Sequence, residues 1–305
     1  MKRDFLAITD FTKDEIYEIM EIARELKKVQ KNGKSYKPLK DKSMAMIFQK
    51  PSARTRVSFE TGMYQLGGHA VYLSPTDIQI GKREAVSDIA RVLSRYTDVI
   101  MARLFGHEDI LELAEYATVP VINGLTDLLH PCQVMSDVFT ILEKKGSLEN
   151  LKIAYIGDGN NVLNSWLNMA SRLPMNLVLG TPEEYEPDKE ILSMAKKSGV
   201  SQIDLYHNPK MAVKNADVIY TDVWVSMGQE KEKELRREIF KEYQVDDDLV
   251  NLADDDVIVM HCLPAHRGEE ITDSVVDGPH SVVFDEAENR LHVQKAILVK
   301  LLGTE

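Results

Sequence analysis

Met44-Ala45-Met46-Ile47-Phe48, then Ser52-Ala53-Arg54-Thr55-Arg56, then Val57-Ser58-Phe59-Glu60-Thr61-Gly62-Met63-Tyr64-Gln65-Leu66 form the stretch whose reading decides the fold. The first block is a short apolar run, the pattern of a buried strand. The last block carries apolar residues at helical spacing. Between them, two hydroxyls and two guanidiniums sit where a strand turns into a helix. Backbone N–H groups and the positive end of the helix dipole converge at such a turn. Arginine adds planar forks that match the oxygens of a phosphate. The turn is therefore read as a site for a small, highly charged anion, a phosphate above all. The plainer reading is a Ser/Thr cap followed by solvated arginines. An Arg-Thr-Arg cluster at a helix start on an acidic chain weighs against it.

The chain has 305 residues, 44% of them hydrophobic and 28% charged, which fits about two globular domains. Its formal net charge of -12 argues against nucleic acid or an anionic membrane as the main partner. An anion site must then be built from locally gathered Arg, Lys and His. Two cysteines, Cys132 and Cys262, make no disulfide framework and fit a reducing, cytoplasmic setting. The basic start, Met1-Lys2-Arg3-Asp4-Phe5, has no apolar core behind it, so no signal peptide is expected. No apolar run reaches membrane-spanning length.

Outward from the opening stretch, strands and helices alternate. Thr12-Lys13-Asp14-Glu15 predicts a capping box opening a helix to about Lys28. Strands are predicted at His69 to Leu73, Asp98 to Ala102 and Val119 to Asn123. Gln79 lies in a polar loop and Arg103 ends the second of these strands. Val134 to Lys145 reads as a helix ended by Gly146, and the domain boundary is placed there, giving domains 1–146 and 147–285. A second alternation begins at Leu151. Its strands are expected to Ile156, at Asn176 to Leu179, near Ile203 to Tyr206, at Asp217 to Trp224, at Val257 to Met260 and at Val282 to Phe284. Helices are expected at Glu269 to Val276 and Glu286 to Leu302. The very charged segment Glu230 to Tyr243 reads as a helix with a solvated face. The predicted class is α/β: two doubly wound domains, each a mainly parallel sheet flanked by helices.

In such sheets ligands bind beyond the C-terminal ends of the strands. Ser52 to Arg56, Arg103, His130 with Gln133, Asn160 with Asn161, Asp222 with Ser226, and Cys262 all fall at those ends. Their coincidence points to a cleft between two domains. Alone, His130 is more often a structural histidine, and Cys262 a small core hydrophobe. Gly157-Asp158-Gly159 looks like the start of a dinucleotide fingerprint, but the third glycine is replaced by Val162. The next strand ends in Leu179-Gly180 with no acidic residue, which argues against NAD. His261, Cys262 and His266 lack zinc spacing, so no metal is expected.

Taken together, Ser52 to Arg56, His130-Pro131-Cys132-Gln133, Asp222 with Ser226-Met227-Gly228, and His261-Cys262-Leu263-Pro264 resemble the signature set of the carbamoyltransferases. The last two, with Gly157 to Asn161, resemble the ornithine branch specifically. One departure is Ala53, where the family usually has Thr. The resemblance implies that the δ-amine of L-ornithine attacks carbamoyl phosphate directly, giving L-citrulline and phosphate with no covalent intermediate. It implies carbamoyl phosphate contacts from Ser52, Ala53, Arg54, Thr55, Arg56, Gln79, Arg103, His130, Gln133, Cys262, Leu263 and Arg290. Of these, Arg103, His130 and Cys262 would act at the reacting centre. Asn161, Asp222, Ser226 and Met227 would hold ornithine. No cofactor is implied. The resemblance also implies a C-terminal helix, 286–305, returning to the first domain, and a homotrimer or multiple of trimers. Rival readings are a carbamoyltransferase for aspartate, putrescine or an acylated ornithine, a nucleotide-dependent oxidoreductase, and a non-catalytic relative.

Overall fold

A computed structural model describes residues 2–81, 83–226, 228 and 230–303. The chain divides into two compact units, one running to Phe139 and resuming at Glu288, the other from Thr140 to Ala287. In the first unit the elements are α1 (Lys13–Lys31), β1 (Ser43–Phe48), α2 (Ala53–Gln65), β2 (His69–Leu73), α3 (Pro75–Ile78), α4 (Val86–Leu93), β3 (Val99–Arg103), α5 (His107–Tyr116), β4 (Val121–Leu125) and the start of α6 (Pro131–Lys145). The second holds the rest of α6, then β5 (Lys152–Ile156), α7 (Asn161–Ala170), β6 (Asn176–Gly180), α8 (Lys189–Ser198), β7 (Gln202–Tyr206), α9 (Pro209–Val213), β8 (Val218–Thr221), α10 (Lys233–Phe240), α11 (Asp247–Val250), β9 (Ile258–His261) and α12 (Asp273–Val276). A last helix, α13 (Val283–Leu302), begins in the second unit and ends in the first.

Both sheets are parallel throughout. The first has the order β2-β1-β3-β4 and the second β7-β6-β5-β8-β9. Strand order therefore reverses direction at β1 in one unit and at β5 in the other, and the crevice beyond such a strand is where ligands bind. The turn Pro51-Ser52 follows β1, and Gly157 to Asn160 follows β5. The central strands are apolar because both faces are covered: Met44 to Phe48 and Ile153 to Ile156 are all buried. Helix α1 opens with the Thr12–Glu15 capping box read from the sequence.

The two compact units meet inside α6, between Phe139 and Thr140, where a continuous helix carries the chain across. Several expectations about single elements are corrected. Val282 to Phe284 forms no strand; Val283 opens α13. The helix expected over Glu269 to Val276 is shortened to α12, because Ile271 bridges to Val245. The charged segment before Tyr243 is a short 3-10 turn, α10 and a second 3-10 turn. It is not simply solvated, since Arg236 and Phe240 are buried. No helix among the described residues is long and apolar enough to cross a membrane.

Candidate active site

In the first unit the site grows from the α2 start. Ser52 is the N-cap in extended conformation, and its Oγ accepts the Thr55 N–H at 3.3 Å. The same hydroxyl donates to Thr55 Oγ1 at 3.1 Å, and Arg290 Nη2 donates to that atom at 2.8 Å. Ala53 is exposed at the helix start.

Arg103 ends β3 where the register against β4 shifts between Ala102 and Arg103. Such a bulge re-aims a side chain at a sheet end. It needs Gly124 opposite, because a Cβ there would lie 2.6 Å from Met101 Sδ and 3.1 Å from the Ala102 carbonyl oxygen. His130 precedes the first turn of α6 and is buried. Burial first, then the charges of Arg290, Arg103, Arg54 and Lys50, hold its pKa well below the usual value. His130 is therefore a neutral imidazole beside four cations, able to donate a hydrogen bond without bringing a further charge. Gln133 Nε2 donates to Asp137 Oδ1 at 2.8 Å, which fixes its amide. Cys132, between them, is fully buried and its thiol is pushed up to about 12 by that burial, so it stays an inert thiol.

Of the contacts expected from this unit, Arg56 and Gln79 are not brought to the cluster; Cys262 and Leu263 belong to the second unit. Arg56 lays its guanidinium 3.9 Å from the Tyr72 ring centroid and pairs with Glu60 at 3.1 Å. Gln79 is exposed, in left-handed conformation with φ 42°. One residue was missed. Lys50 is buried, lies 4.4 Å from the Phe105 ring centroid and pairs with Asp127. Its signal was available: a lysine two residues past a buried strand and immediately before Pro51.

The second unit gathers its polar groups around Asp222, just past β8. Asn160 Nδ2 donates to Asp222 Oδ2 at 2.7 Å, and the Cys262 thiol donates to Oδ1 at 2.9 Å. Asn160 is itself fixed: its Oδ1 accepts the N–H groups of Val162 and Leu163 as the α7 N-cap, and the Tyr155 hydroxyl at 3.1 Å. Asn161 opens α7 and is partly exposed, as are Ser226, Cys262 and Leu263. Met227 lies outside the described residues. Leu263 has φ 55°, a conformation rare for a leucine, and its N–H donates to His261 Nδ1 at 2.8 Å. His261 Nε2 then donates to Glu270 Oε1 at 3.0 Å.

Asp222, His261 and Cys262 each bring a possible metal-ligand atom within 4.8 Å of the others. Both ring nitrogens of His261 are committed, however, and its one lone pair is taken by Leu263 N–H. The trio reads as a hydrogen-bond network that orients the Cys262 loop. The glycines of Gly157-Asp158-Gly159 are also explained without a nucleotide. A Cβ on Gly159 would lie 2.3 Å from the Glu186 backbone, so that glycine allows two backbones to pack. Asp158 pairs with Arg236 at 3.1 Å, and Arg236 Nη1 donates to the Trp224 carbonyl at 2.9 Å. Burial raises the Asp158 pKa to about 6 despite that partner. Arg236 thus ties the Asp158 turn to the stem of the loop bearing Ser226. Nothing in the linear pattern distinguished it from the charged residues around it.

Two parallel-sheet units, one with a cationic anion cradle and one with a buried carboxylate, define a class of group-transfer enzyme. The family described as aspartate/ornithine carbamoyltransferase, carbamoyl-P binding domain, matches residues 3–143. The companion Asp/Orn binding domain matches residues 149–301. The chain belongs to the aspartate/ornithine carbamoyltransferase family. It is 58% identical over 302 residues to an ornithine carbamoyltransferase of Syntrophus aciditrophicus, covering 99% of this chain and 100% of that one. A solved ornithine carbamoyltransferase of Pyrococcus furiosus superposes with a TM-score of 0.95 at 54% identity, covering 100% of this chain and 98% of that one. A solved ornithine carbamoyltransferase of Thermus thermophilus gives a TM-score of 0.89 at 41% identity, covering 99% of each chain.

Proposed function

We propose that the chain transfers the carbamoyl group of carbamoyl phosphate to the δ-amine of L-ornithine, releasing L-citrulline and phosphate. The observation that carries this is the turn opening α2, where Ser52 caps the helix and Arg290 Nη2 donates to Thr55 Oγ1, with His130 buried in the same unit and kept neutral by that burial and by nearby cationic charge. In our reading Ser52, the Ala53 backbone, Arg54, Thr55 and Gln133 hold the phosphate end together with Arg290. Arg103 and His130 donate to the carbamoyl oxygen as it becomes an oxyanion. Loss of one such donor typically costs about 2.7–4 kcal/mol of barrier. Lys50 joins this set as a further cation. The bulk of the rate then comes from positioning and from fixed charge, with no acyl-enzyme.

Asn161, Ser226 and Met227 with Asp222 bind the amino-acid end of ornithine. The attacking amine must be neutral, whereas a free side-chain ammonium titrates near ~10.4. A carboxylate beside it would favour the charged form. Asp222 therefore pairs with the α-ammonium, which stays charged. Cys262, already bonded to Asp222, orients the δ-amine, and Leu263 lines the reacting centre. The Pyrococcus furiosus relative that is 54% identical is named anabolic, which supports a place in arginine biosynthesis.

We also infer a cytoplasmic homotrimer or multiple of trimers. Support comes from two cysteines that form no disulfide and from apolar groups left in water: Val57 on α2 and Val71 on the edge strand β2. Gln79, exposed here, would complete the phosphate subsite of a neighbouring subunit. The deciding assay is citrulline formation with both substrates varied, run beside aspartate, putrescine and acetylornithine as acceptors. Saturable turnover with ornithine is expected. Preference for another acceptor would overturn the assignment of substrate.

A further inference from the structure

Helix α13 carries a second buried cation that the proposed reaction does not use. Lys295 is 3% exposed. Its stem fits because Gly62 of α2 has no side chain; a Cβ there would lie 3.1 Å from Lys295 Cγ. The ammonium donates to Gln30 Oε1 of α1 at 2.6 Å and to Gln65 Oε1 of α2 at 2.8 Å. Both acceptors are neutral amides, and no carboxylate among the described residues acts on this ammonium. A buried cation with no counter-charge is costly. Burial alone lowers its pKa to about 8.

Lys295 lines a cavity of about 270 Å³. Exposed Lys34 and Lys37 also line it and carry two more ammonium groups, and Tyr36 and Tyr64 line it as well. The C-terminal ends of α1 and α2 both reach this cavity, and open carbonyls there would repel an anion. They are largely capped. Asn32 N–H bonds the Lys28 carbonyl and Gly33 N–H the Gln30 carbonyl; Gly67 N–H bonds the Tyr64 carbonyl and Gly68 N–H the Met63 carbonyl. Three ammonium groups, no carboxylate in the wall and satisfied helix ends leave the cavity positive.

We propose that this cavity is a second anion site, taking a small phosphate-bearing molecule whose phosphate sits among Lys34, Lys37 and Lys295. Inorganic phosphate and an organic phosphate share that chemistry. An organic phosphate would also place a ring against Tyr36 or Tyr64. The ligand is not a reactant in the carbamoyl transfer, since none of these residues belongs to that cluster.

The test is trace acetylation of the intact enzyme from about pH 6 to about pH 10, read lysine by lysine by mass spectrometry. It is run without added anion, with inorganic phosphate and with phenyl phosphate. A bound anion stabilises the charged ammonium, so the Lys295 midpoint should rise by about one unit or more while exposed Lys196 is unmoved. A rise with inorganic phosphate supports the free ion as ligand; a larger rise with phenyl phosphate supports an organic one. No rise with either overturns the proposal. The Lys34→Ala/Lys37→Ala double variant changes only exposed positions and should abolish the rise. A rise that survives in it originates at another site and overturns the proposal equally.

Discussion

Thr55 in the first turn of α2 and Arg290 on α13 share a 2.8 Å hydrogen bond although 235 positions separate them in sequence. The Thr55 hydroxyl also accepts from Ser52, so one buried side chain joins the N-cap of the anion turn to a guanidinium from the far end of the chain. A hydrogen bond to a charged group contributes about 1.5–3 kcal/mol. Thr55→Val should therefore weaken carbamoyl phosphate roughly 10- to 100-fold. Calorimetry giving an unchanged Kd would remove Thr55 and Arg290 from the phosphate subsite.

Asp222 is held on both oxygens, by Asn160 and by Cys262. If it receives the α-ammonium of ornithine, Asp222→Ala should raise the ornithine KM by about two orders of magnitude or more, the scale of a lost charge-paired contact. Carbamoyl phosphate affinity should change far less. Equal losses for the two substrates in steady-state kinetics would contradict the assignment.

Arg236→Met leaves Asp158 buried beside no cation. Breaking a buried pair costs about 3–5 kcal/mol when the remaining charge persists. Asp158 in the folded enzyme has its pKa raised to about 6, and losing Arg236 raises it further. Below that value the carboxyl takes a proton and the penalty shrinks. Urea unfolding should thus show a large loss at about pH 8 and a small one at about pH 5. The same loss at both would mean that Arg236 acts through packing alone. Because it also holds the Trp224 carbonyl, the variant should raise the ornithine KM with little effect on carbamoyl phosphate.

His292 is buried and its pKa is lowered to about 4, by burial first and then by Lys295. An unfolded histidine titrates near ~6.5. Between those values the unfolded chain binds the proton and the folded one does not. The stability is present above about pH 6.5 and is lost as pH falls toward 4. The share of one histidine is up to ~1.4 kcal/mol per pH unit. His130 acts in the same direction. Asp158, whose folded pKa is raised, acts in the opposite one. The difference in unfolding free energy between the parent and His292→Gln isolates the single proton. A difference independent of pH would show that His292 does not titrate in this way.

The alternation of strands and helices was legible because parallel strands covered on both faces are unbroken apolar runs, as Met44 to Phe48 and Ile153 to Ile156 are. The anion turn was legible for the same reason: a strand end, a Ser cap and arginines lie within a few consecutive residues. Short elements were read poorly. Val282 to Phe284 has strand composition, yet tertiary packing makes Val283 the start of α13. The passage between the two units carries no linker composition, because α6 runs through it.

By itself the sequence determined the α/β class, the turns after β1 and β5, and which polar residues fall at the strand ends there. Those properties are local, set by residues that are neighbours along the chain. Only the tertiary structure decided that Arg56 turns to Tyr72 and Glu60, that Arg290 bonds Thr55, that Lys50 is buried and paired with Asp127, and that Asn160 and Cys262 grip Asp222. The direction of a long side chain and the charge state of a buried one depend on partners that the chain brings together only by folding, and most of those partners lie tens to hundreds of positions away.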